Sequence, residues 1–323
     1  MRVIEVRSYG GPEVLEPAER EERAPGPGEL LVEVAAAGVN FIDTYQRTGV
    51  YPLPLPFVPG LEGAGRVVTV GEGVTEFAVD DRVAWGQALG SYASRAVVPA
   101  SSAVAVPTGV DDETAAGALL QGMTAHYLTR STFAVQPGDT VLVHAAAGGM
   151  GLLLTQSVKR LGGRVIGTVS TAEKEALARA AGADEVIRYT EVEDLAGEVR
   201  RLTGGRGVDV VYDGVGRSTF DASLASVRPR GTLALFGAAS GPVPPLDPQR
   251  LNDAGSVFLA RPSLAHHVAT REELVWRAGE VFDDIVSGAL NIRVGGRYPL
   301  VDARRAHEDL EARRTTGKLL LVP

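Results

Sequence analysis

The sequence predicts an α/β chain of two domains, a small β barrel and a doubly wound parallel sheet, and three observations predict it. From Thr140 onward short apolar runs alternate with helix-like stretches, the pattern of a parallel sheet covered on both faces. Residues 1 to about 110 carry instead glycine, proline and brief valine-rich runs, which read as a compact barrel with tight turns. The length of 323 residues also exceeds what a single core serves.

Taken in order, Leu30–Val34, Gly65–Val70 and Arg82–Trp85 are barrel strands. Asp111–Thr129 is a helix with acidic residues at its start, where they face the positive end of the helix dipole. Strands follow at 140–144, 164–169, 185–188, 208–212 and 232–236, and helices near 150–161, 171–181, 193–202 and 218–226. Beyond Pro262 the pattern gives helices at Arg271–Ser287 and Asp302–Arg314 and a last strand, Lys318–Val322. That tail is too small to fold alone, so it is expected to return to the first domain. The expected division is 1–122 with 263–323, and 123–262.

Composition narrows the chemistry. Hydrophobic content of 45% with 22% charged residues suits a globular enzyme. A net charge of −8 argues against a general nucleic-acid or anionic-membrane surface. The N-terminus carries charges where a signal peptide needs an apolar core, and no apolar run reaches membrane-spanning length, so a cytoplasmic protein is expected. With no cysteine there is no disulfide, thiolate nucleophile or cysteine-ligated zinc. The five histidines are scattered apart from His266 and His267, and adjacent histidines point apart, so no metal site is expected.

The run Val141–Gly151 is the most informative segment. An apolar strand breaks into small residues and re-emerges as a helix, giving Ala146-x-Gly148-x-x-Gly151 within a βαβ unit. Small residues there let the backbone of Ala147, Gly148, Gly149, Met150 and Gly151 approach a dinucleotide pyrophosphate at a helix N-terminus. Nucleotide sites selective for NAD place an acid about 20 residues beyond the glycines. Here that place holds Ser170, and Lys174 follows one helical turn later. A lysine attracts a 2′-phosphate that no carboxylate repels, which favours NADPH. Ser170 also suits a helix cap boxed with Glu173.

Asn40–Tyr45, Val58–Val67, Asp81–Val83, Ala145–Leu152, Val211–Gly216 and the terminal Gly317–Pro323 together resemble the zinc-independent quinone oxidoreductases of the medium-chain dehydrogenase/reductase superfamily, the group that includes zeta-crystallin. The resemblance covers essentially the whole chain. It implies a GroES-like barrel domain built from both chain ends, an inserted Rossmann domain, an interdomain cleft holding NADPH and a quinone, and a homodimer. Metal-dependent relatives carry Gly-His-Glu where this chain has Gly60, Leu61 and Glu62, which closes the Lewis-acid route for alcohols. A quinone needs no such activation.

The resemblance also implies site residues. Asn40, Asp43 and Tyr45 are expected on a loop, donating or relaying hydrogen bonds to the acceptor, with Asn40 also touching nicotinamide. Gln121, Gly122, Met123 and Thr124 are expected to open a helix that meets the cofactor. Tyr189 and Arg313, in the last helix, join Ser170 and Lys174 at the 2′-phosphate, and Phe236–Ser240 meets the nicotinamide. Within this resemblance the expected activity is NADPH-dependent quinone reduction. Reduction of α,β-unsaturated carbonyls uses the same hydride geometry, and a non-catalytic NADPH-binding protein is the reading from a different class. Turnover with a panel of quinones and enones separates the three.

Overall fold

The computed structural model describes residues 1–323 and divides into two compact units, Met1–Met123 with Val268–Pro323, and Thr124–His267. The first unit opens with β1 (Arg2–Glu5), β2 (Glu16–Glu19) and β3 (Glu29–Val39), then α1 (Phe41–Arg47), β4 (Glu62–Val70), β5 (Arg82–Trp85), β6 (Arg95–Pro99), β7 (Ala103–Ala105) and α2 (Asp112–Tyr127), whose residues from Thr124 on fall in the second unit. The second unit holds β8 (Thr140–Val143), α3 (Gly149–Arg160), β9 (Arg164–Val169), α4 (Ala172–Ala180), β10 (Glu185–Arg188), α5 (Leu195–Leu202), β11 (Val208–Asp213), α6 (Phe220–Ser226), β12 (Val227–Leu235), α7 (Gln249–Asp253), β13 (Phe258–Ala260) and α8 (Leu264–His267). The chain then supplies α9 (Arg271–Val286), β14 (Val294–Pro299), α10 (Ala303–Glu311) and β15 (Lys318–Val322) to the first unit.

In the first unit, eleven-residue β3 is the organising strand. One edge pairs with β4; the other pairs with β6 along Glu29–Glu33 and with β15 at Ala37–Val39. Register shifts between Leu31 and Val32 and between Val34 and Ala36 bend the strand, as bulges do where a sheet rolls up. The core collects Val32, Val67, Trp85, Tyr92, Leu319 and Leu321. Thus residues near both ends of the chain bury their apolar faces together.

The second unit is a six-stranded, all-parallel sheet in the order β10-β9-β8-β11-β12-β13. Strand order reverses at β8, the topological switch point at which such sheets bind ligands beyond their carboxyl ends. Helix α3 packs on β8 and β9 beside α4, and α6 packs on β11 and β12 beside α5. No helix of the chain is long and apolar enough to cross a membrane.

Four expectations are corrected. Asn40–Tyr45 is no loop: Asn40 is the extended N-cap of α1, and Asp43 and Tyr45 lie within that helix. Gln121, Gly122, Met123 and Thr124 lie in the later part of α2 and do not open it. Strand β12 begins at Val227, ahead of Pro229, because Val227 pairs with Val208 before Arg230 turns through a left-handed φ of 58°. Helix α10 stops at Glu311, and Arg313 sits beyond it at φ 56°. There Arg313 N–H donates to Leu310 and Arg314 N–H to Asp309, the pair of bonds that closes a helix with a left-handed residue.

Candidate functional site

The first unit builds its polar centre where β3 runs into α1. Asn40 is buried, 3% exposed. Its Nδ2 donates to Glu62 Oε2 (2.9 Å) and to the Gly38 carbonyl (3.3 Å); its Oδ1 accepts from Lys318 Nζ (2.7 Å) and Gln121 Nε2 (3.3 Å). Lys318 also forms a fully buried ion pair with Glu62, whose other oxygen accepts the Leu120 N–H at 2.7 Å. A Cβ on Gly38 would lie 2.4 Å from Glu62 Oε2 and 2.6 Å from the Ala116 carbonyl, so glycine is what lets the pair close against β3.

A second buried chain starts three residues on. Asp43 Oδ2 accepts the Asn40 N–H (2.8 Å) and the Tyr92 hydroxyl (3.0 Å), and Asp43 Oδ1 is buried with no partner. Tyr92 Oη lies 2.9 Å from His307 Nε2, and Arg47 Nη1 lies 3.0 Å from His307 Nδ1. Arg47 continues to Glu311 through two bonds of 2.8 and 3.2 Å. Burial pushes the Asp43 carboxyl up to about 7, opposed by the Asn40 and Tyr92 donors and the Lys318 charge. Burial, helped by the Arg47 charge, holds His307 down to about 3, so its ring is neutral. On the same helix Tyr45 meets Phe41 at 6.4 Å and Tyr51 edge-on at 5.5 Å between ring centroids.

The second unit carries the glycine-rich turn between β8 and α3. Ala145 takes a left-handed φ of 50°, and Gly148, whose N–H donates to the Ala145 carbonyl at 2.8 Å, is the N-cap of α3. A Cβ on Gly151 would stand 2.2 Å from the Ala145 oxygen and 2.6 Å from Ala146 Cα. Helix and strand are therefore seated as closely as a dinucleotide turn requires. Ala147 is buried, while Gly148, Gly149 and Met150 are half-buried, so backbone at the helix N-terminus is open to an anion.

Beneath the turn lies a saturated polar network. Asp213 at the end of β11 accepts from Val215 N–H, Gly216 N–H, the Thr219 hydroxyl and the Ser223 hydroxyl at 2.7–2.9 Å. Because Ser223 donates to Asp213, its oxygen accepts from His144 Nε2 at 2.9 Å, and His144 Nδ1 in turn accepts from Thr168 at 3.0 Å. Burial lowers the His144 pKa, consistent with a neutral ring. These bonds join β8, β9, β11 and α6 at one end of the sheet.

At the end of β9 no acid is present. Ser170 is half-buried, and the N-cap of α4 is Thr171, whose hydroxyl accepts the Lys174 N–H at 3.3 Å. The cap expected of Ser170 thus falls one residue later, because the extended backbone continues through Thr171. Tyr189 is exposed and its N–H donates to Val169. Ser240 accepts the Ser218 N–H and donates to the Val215 carbonyl, and Phe236 is half-buried against Gly214. Arg313 is exposed and belongs to the first unit, whereas Ser170, Lys174 and Tyr189 belong to the second. Met123 and Thr124 are both buried.

Residues 26–108 match the alcohol dehydrogenase GroES-like domain and residues 149–268 the zinc-binding dehydrogenase family. The chain is 47% identical over 322 residues to quinone oxidoreductase of Pseudomonas aeruginosa, covering 99% of each. The chain belongs to the quinone oxidoreductases of the medium-chain dehydrogenase/reductase superfamily. A mycobacterial structure in complex with NADPH superposes with a TM-score of 0.98 at 59% identity, each chain covered in full. A 2-haloacrylate reductase from a Burkholderia species is 42% identical over 327 residues, with 98% of each covered.

Within this quinone oxidoreductase fold, sequence reasoning missed Glu62, Lys318, Tyr92, Arg47 and His307. One signal was available. Lys318 opens the otherwise apolar run Leu319–Val322, and a lysine heading a buried strand needs a buried partner. Tyr92 and His307, 215 residues apart in sequence, meet only through the fold.

Asp43 makes a pH prediction. Its pKa in the folded protein is raised from 3.8 to about 7, so the stability it contributes is complete below about 3.8 and is lost as pH rises to about 7. His307, lowered from 6.5 to about 3, acts oppositely: its contribution is complete above 6.5 and is lost as pH falls. Asp43→Asn keeps an acceptor for Asn40 and Tyr92 but cannot ionise. The melting-temperature advantage of the parent over Asp43→Asn should shrink from pH 5 to pH 8, by several degrees in total. A difference independent of pH in calorimetric scans would show that Asp43 titrates like an exposed carboxyl.

Proposed function

We propose that this chain is an NADPH-dependent quinone reductase acting without a metal. The observation that carries the reading is the full-length kinship to quinone oxidoreductase, 47% identical over 99% of both chains. The residues present also fit the cofactor: the Gly151 cradle and the open backbone of Gly148–Met150 suit a pyrophosphate, and the end of β9 offers Ser170 in place of a carboxylate. NADPH, when bound, supplies hydride to the acceptor.

The chain's own residues bind, orient and donate. Ala147–Gly151 hold the pyrophosphate; Ser170, Lys174, Tyr189 and Arg313 read the 2′-phosphate. Gln121, Met123, Thr124, Phe236 and Ser240 flank the rest of the cofactor, Met123 and Thr124 through their backbone because both are buried. Tyr45, half-buried on a helix whose Asn40 and Asp43 are buried, donates a hydrogen bond to the oxyanion that forms on the acceptor. Asn40, with all four of its hydrogen-bonding positions engaged within the unit, acts by fixed orientation. Asp43, fully buried, acts through Asn40 and Tyr92. Reduction of α,β-unsaturated carbonyls is the second reading, favoured by the kinship to 2-haloacrylate reductase.

The partner we propose is a second copy of the chain. Strand β13 is the edge of the parallel sheet, and Phe258 on it is 65% exposed. An edge strand with a large apolar side chain is the kind of surface that pairs. Light scattering should give a dimer and, for Phe258→Glu, a monomer; a monomeric parent would end this reading.

Acceptor chemistry is tested by steady-state oxidation of NADPH. Turnover is expected with 1,4-benzoquinone and 1,2-naphthoquinone, none with simple ketones, and no loss after exhaustive chelation. Higher turnover with every enone than with any quinone would move the assignment to the second reading, and zinc-dependent activity would overturn the metal-free one.

Cofactor selection is tested by dissociation constants at one salt concentration. A hydrogen bond to a charged group contributes roughly 1.5–3 kcal/mol, so Lys174→Ala should weaken NADPH about tenfold to a hundredfold and leave NADH nearly unchanged. Ser170→Asp should tilt preference toward NADH. Equal losses for both cofactors would assign these residues to the turn's structure rather than to the phosphate.

A further inference from the structure

Helix α1 has seven residues, too few to hold itself together in water. Its orientation is therefore set by what grips its ends. Asp43 in the first turn and Arg47 in the last are both buried, and both lead to the same pair of side chains from elsewhere in the unit, Tyr92 and His307.

The direction of every bond in this chain follows from the groups that make it. An arginine only donates, so His307 Nδ1 is the acceptor from Arg47. The neutral ring then carries its proton on Nε2 and donates to the Tyr92 oxygen, leaving the Tyr92 hydroxyl proton for Asp43 Oδ2. The result is a closed circuit: α1, Arg47, His307, Tyr92, Asp43 and back to α1. Asn40 joins it through its own N–H on Asp43 Oδ2, and Tyr45 lies on the helix between the two anchored residues. Arg47 is further held by the Gly10 carbonyl and Glu311. Tyr92 and His307 are wholly buried, so they touch neither cofactor nor acceptor and act only through the helix.

We propose that Tyr92 and His307 are positioning residues for the reduction: by tying both ends of α1 into the barrel they hold Asn40 and Tyr45 in the geometry that serves the acceptor. This rests on the reading of Asn40 and Tyr45 given above. Small misplacements of such groups are costly, because a displacement of about 1 Å lowers a rate by up to about a hundredfold.

The circuit contains one group that titrates near neutrality. Asp43 is faced by the Tyr92 hydroxyl from the loop after β5, by Lys318 from β15 and by Glu62 from β4, and through Tyr92 it is joined to His307 of α10 and so to Arg47 of its own helix, with Glu311 beyond Arg47. Ionisation of Asp43 strengthens its hold on the Asn40 N–H and the Tyr92 hydroxyl, so the grip on α1 changes with pH. Loss of the Tyr92 hydroxyl removes a donor that favours the carboxylate and should move that titration upward.

The test measures kcat, quinone KM and the NADPH dissociation constant for Tyr92→Phe, His307→Leu, His307→Gln, Asn40→Ala and Tyr45→Phe. Tyr92→Phe and His307→Leu should lower kcat about tenfold, with NADPH affinity within about twofold of the parent. His307→Gln should recover most of the loss, because an amide also accepts from Arg47 and donates to Tyr92. In the parent, log kcat should bend near pH 7, the bend vanishing in Asp43→Asn and moving to higher pH in Tyr92→Phe, which a merely structural contact would not produce. Full kcat in Tyr92→Phe and His307→Leu, beside a loss in Asn40→Ala, would overturn the proposal and leave the acceptor site standing. Full kcat in both Asn40→Ala and Tyr45→Phe would overturn the acceptor reading and this proposal with it. If His307→Leu does not fold, Tyr92→Phe and His307→Gln decide: a loss in the glutamine variant equal to that in Tyr92→Phe refutes the donor and acceptor argument.

Discussion

The ion pair between Lys318 and Glu62 is the constraint on which the first unit depends. Neither side chain reaches solvent, and two charges taken out of water must find each other with their remaining valences filled. Lys318 satisfies Glu62 and Asn40; Glu62 satisfies Lys318, Asn40 and the backbone of Leu120. One cluster therefore fixes the last strand of the chain, the end of β3, the start of β4 and a turn of α2. Removing either charge would strand the other, a loss of about 3–5 kcal/mol, which is why a strand from residue 318 can be held beside residues 40 and 62 without error in register.

The parallel sheet was legible because its periodicity is local. Each strand from β8 to β11 stands within a residue or two of where alternation of apolar and helical patterns places it, and the Gly148 and Gly151 spacing marks the turn. What local pattern missed was set by contacts far apart in sequence. Strand β13 is only three residues long, and β14 reads Val294–Pro299 with two glycines and an alternating half-buried face, so neither announces itself. Helix α1 reads as a loop in the sequence although Asn40 and Asp43, three apart, have the spacing of a helix cap; seven residues give no periodicity to support it. The site was legible in the same degree: the backbone cradle came from spacing, while Glu62, Lys318, Tyr92 and His307 are chosen by tertiary contact and leave almost no local trace.

The two units solve the same electrostatic problem in different ways. In the first, the charge on Glu62 is met by another charge. In the second, Asp213 is met only by neutral donors: two backbone N–H groups and the hydroxyls of Thr219 and Ser223. The second arrangement passes its polarity outward through Ser223 and His144 to Thr168, and so braces the strands on both sides of the switch point without a cationic side chain among them.

That difference bears on the chemistry each unit can support. Buried carboxylates lie close to both functional segments, yet Glu62 and Asp213 have their oxygens engaged, and Asp43 has one oxygen held by Asn40 and Tyr92 and the other shut away from solvent. The two segments also carry neutral donors: backbone N–H at the start of α3, the half-buried Ser170 hydroxyl and the half-buried phenol of Tyr45. A reaction that carries a hydride to an uncharged acceptor and leaves an oxyanion behind is served by donors and hindered by free carboxylates. The engagement of Glu62 and Asp213 and the burial of Asp43 are thus more than a condition for folding, because none of the three is left with an oxygen free to face a forming oxyanion.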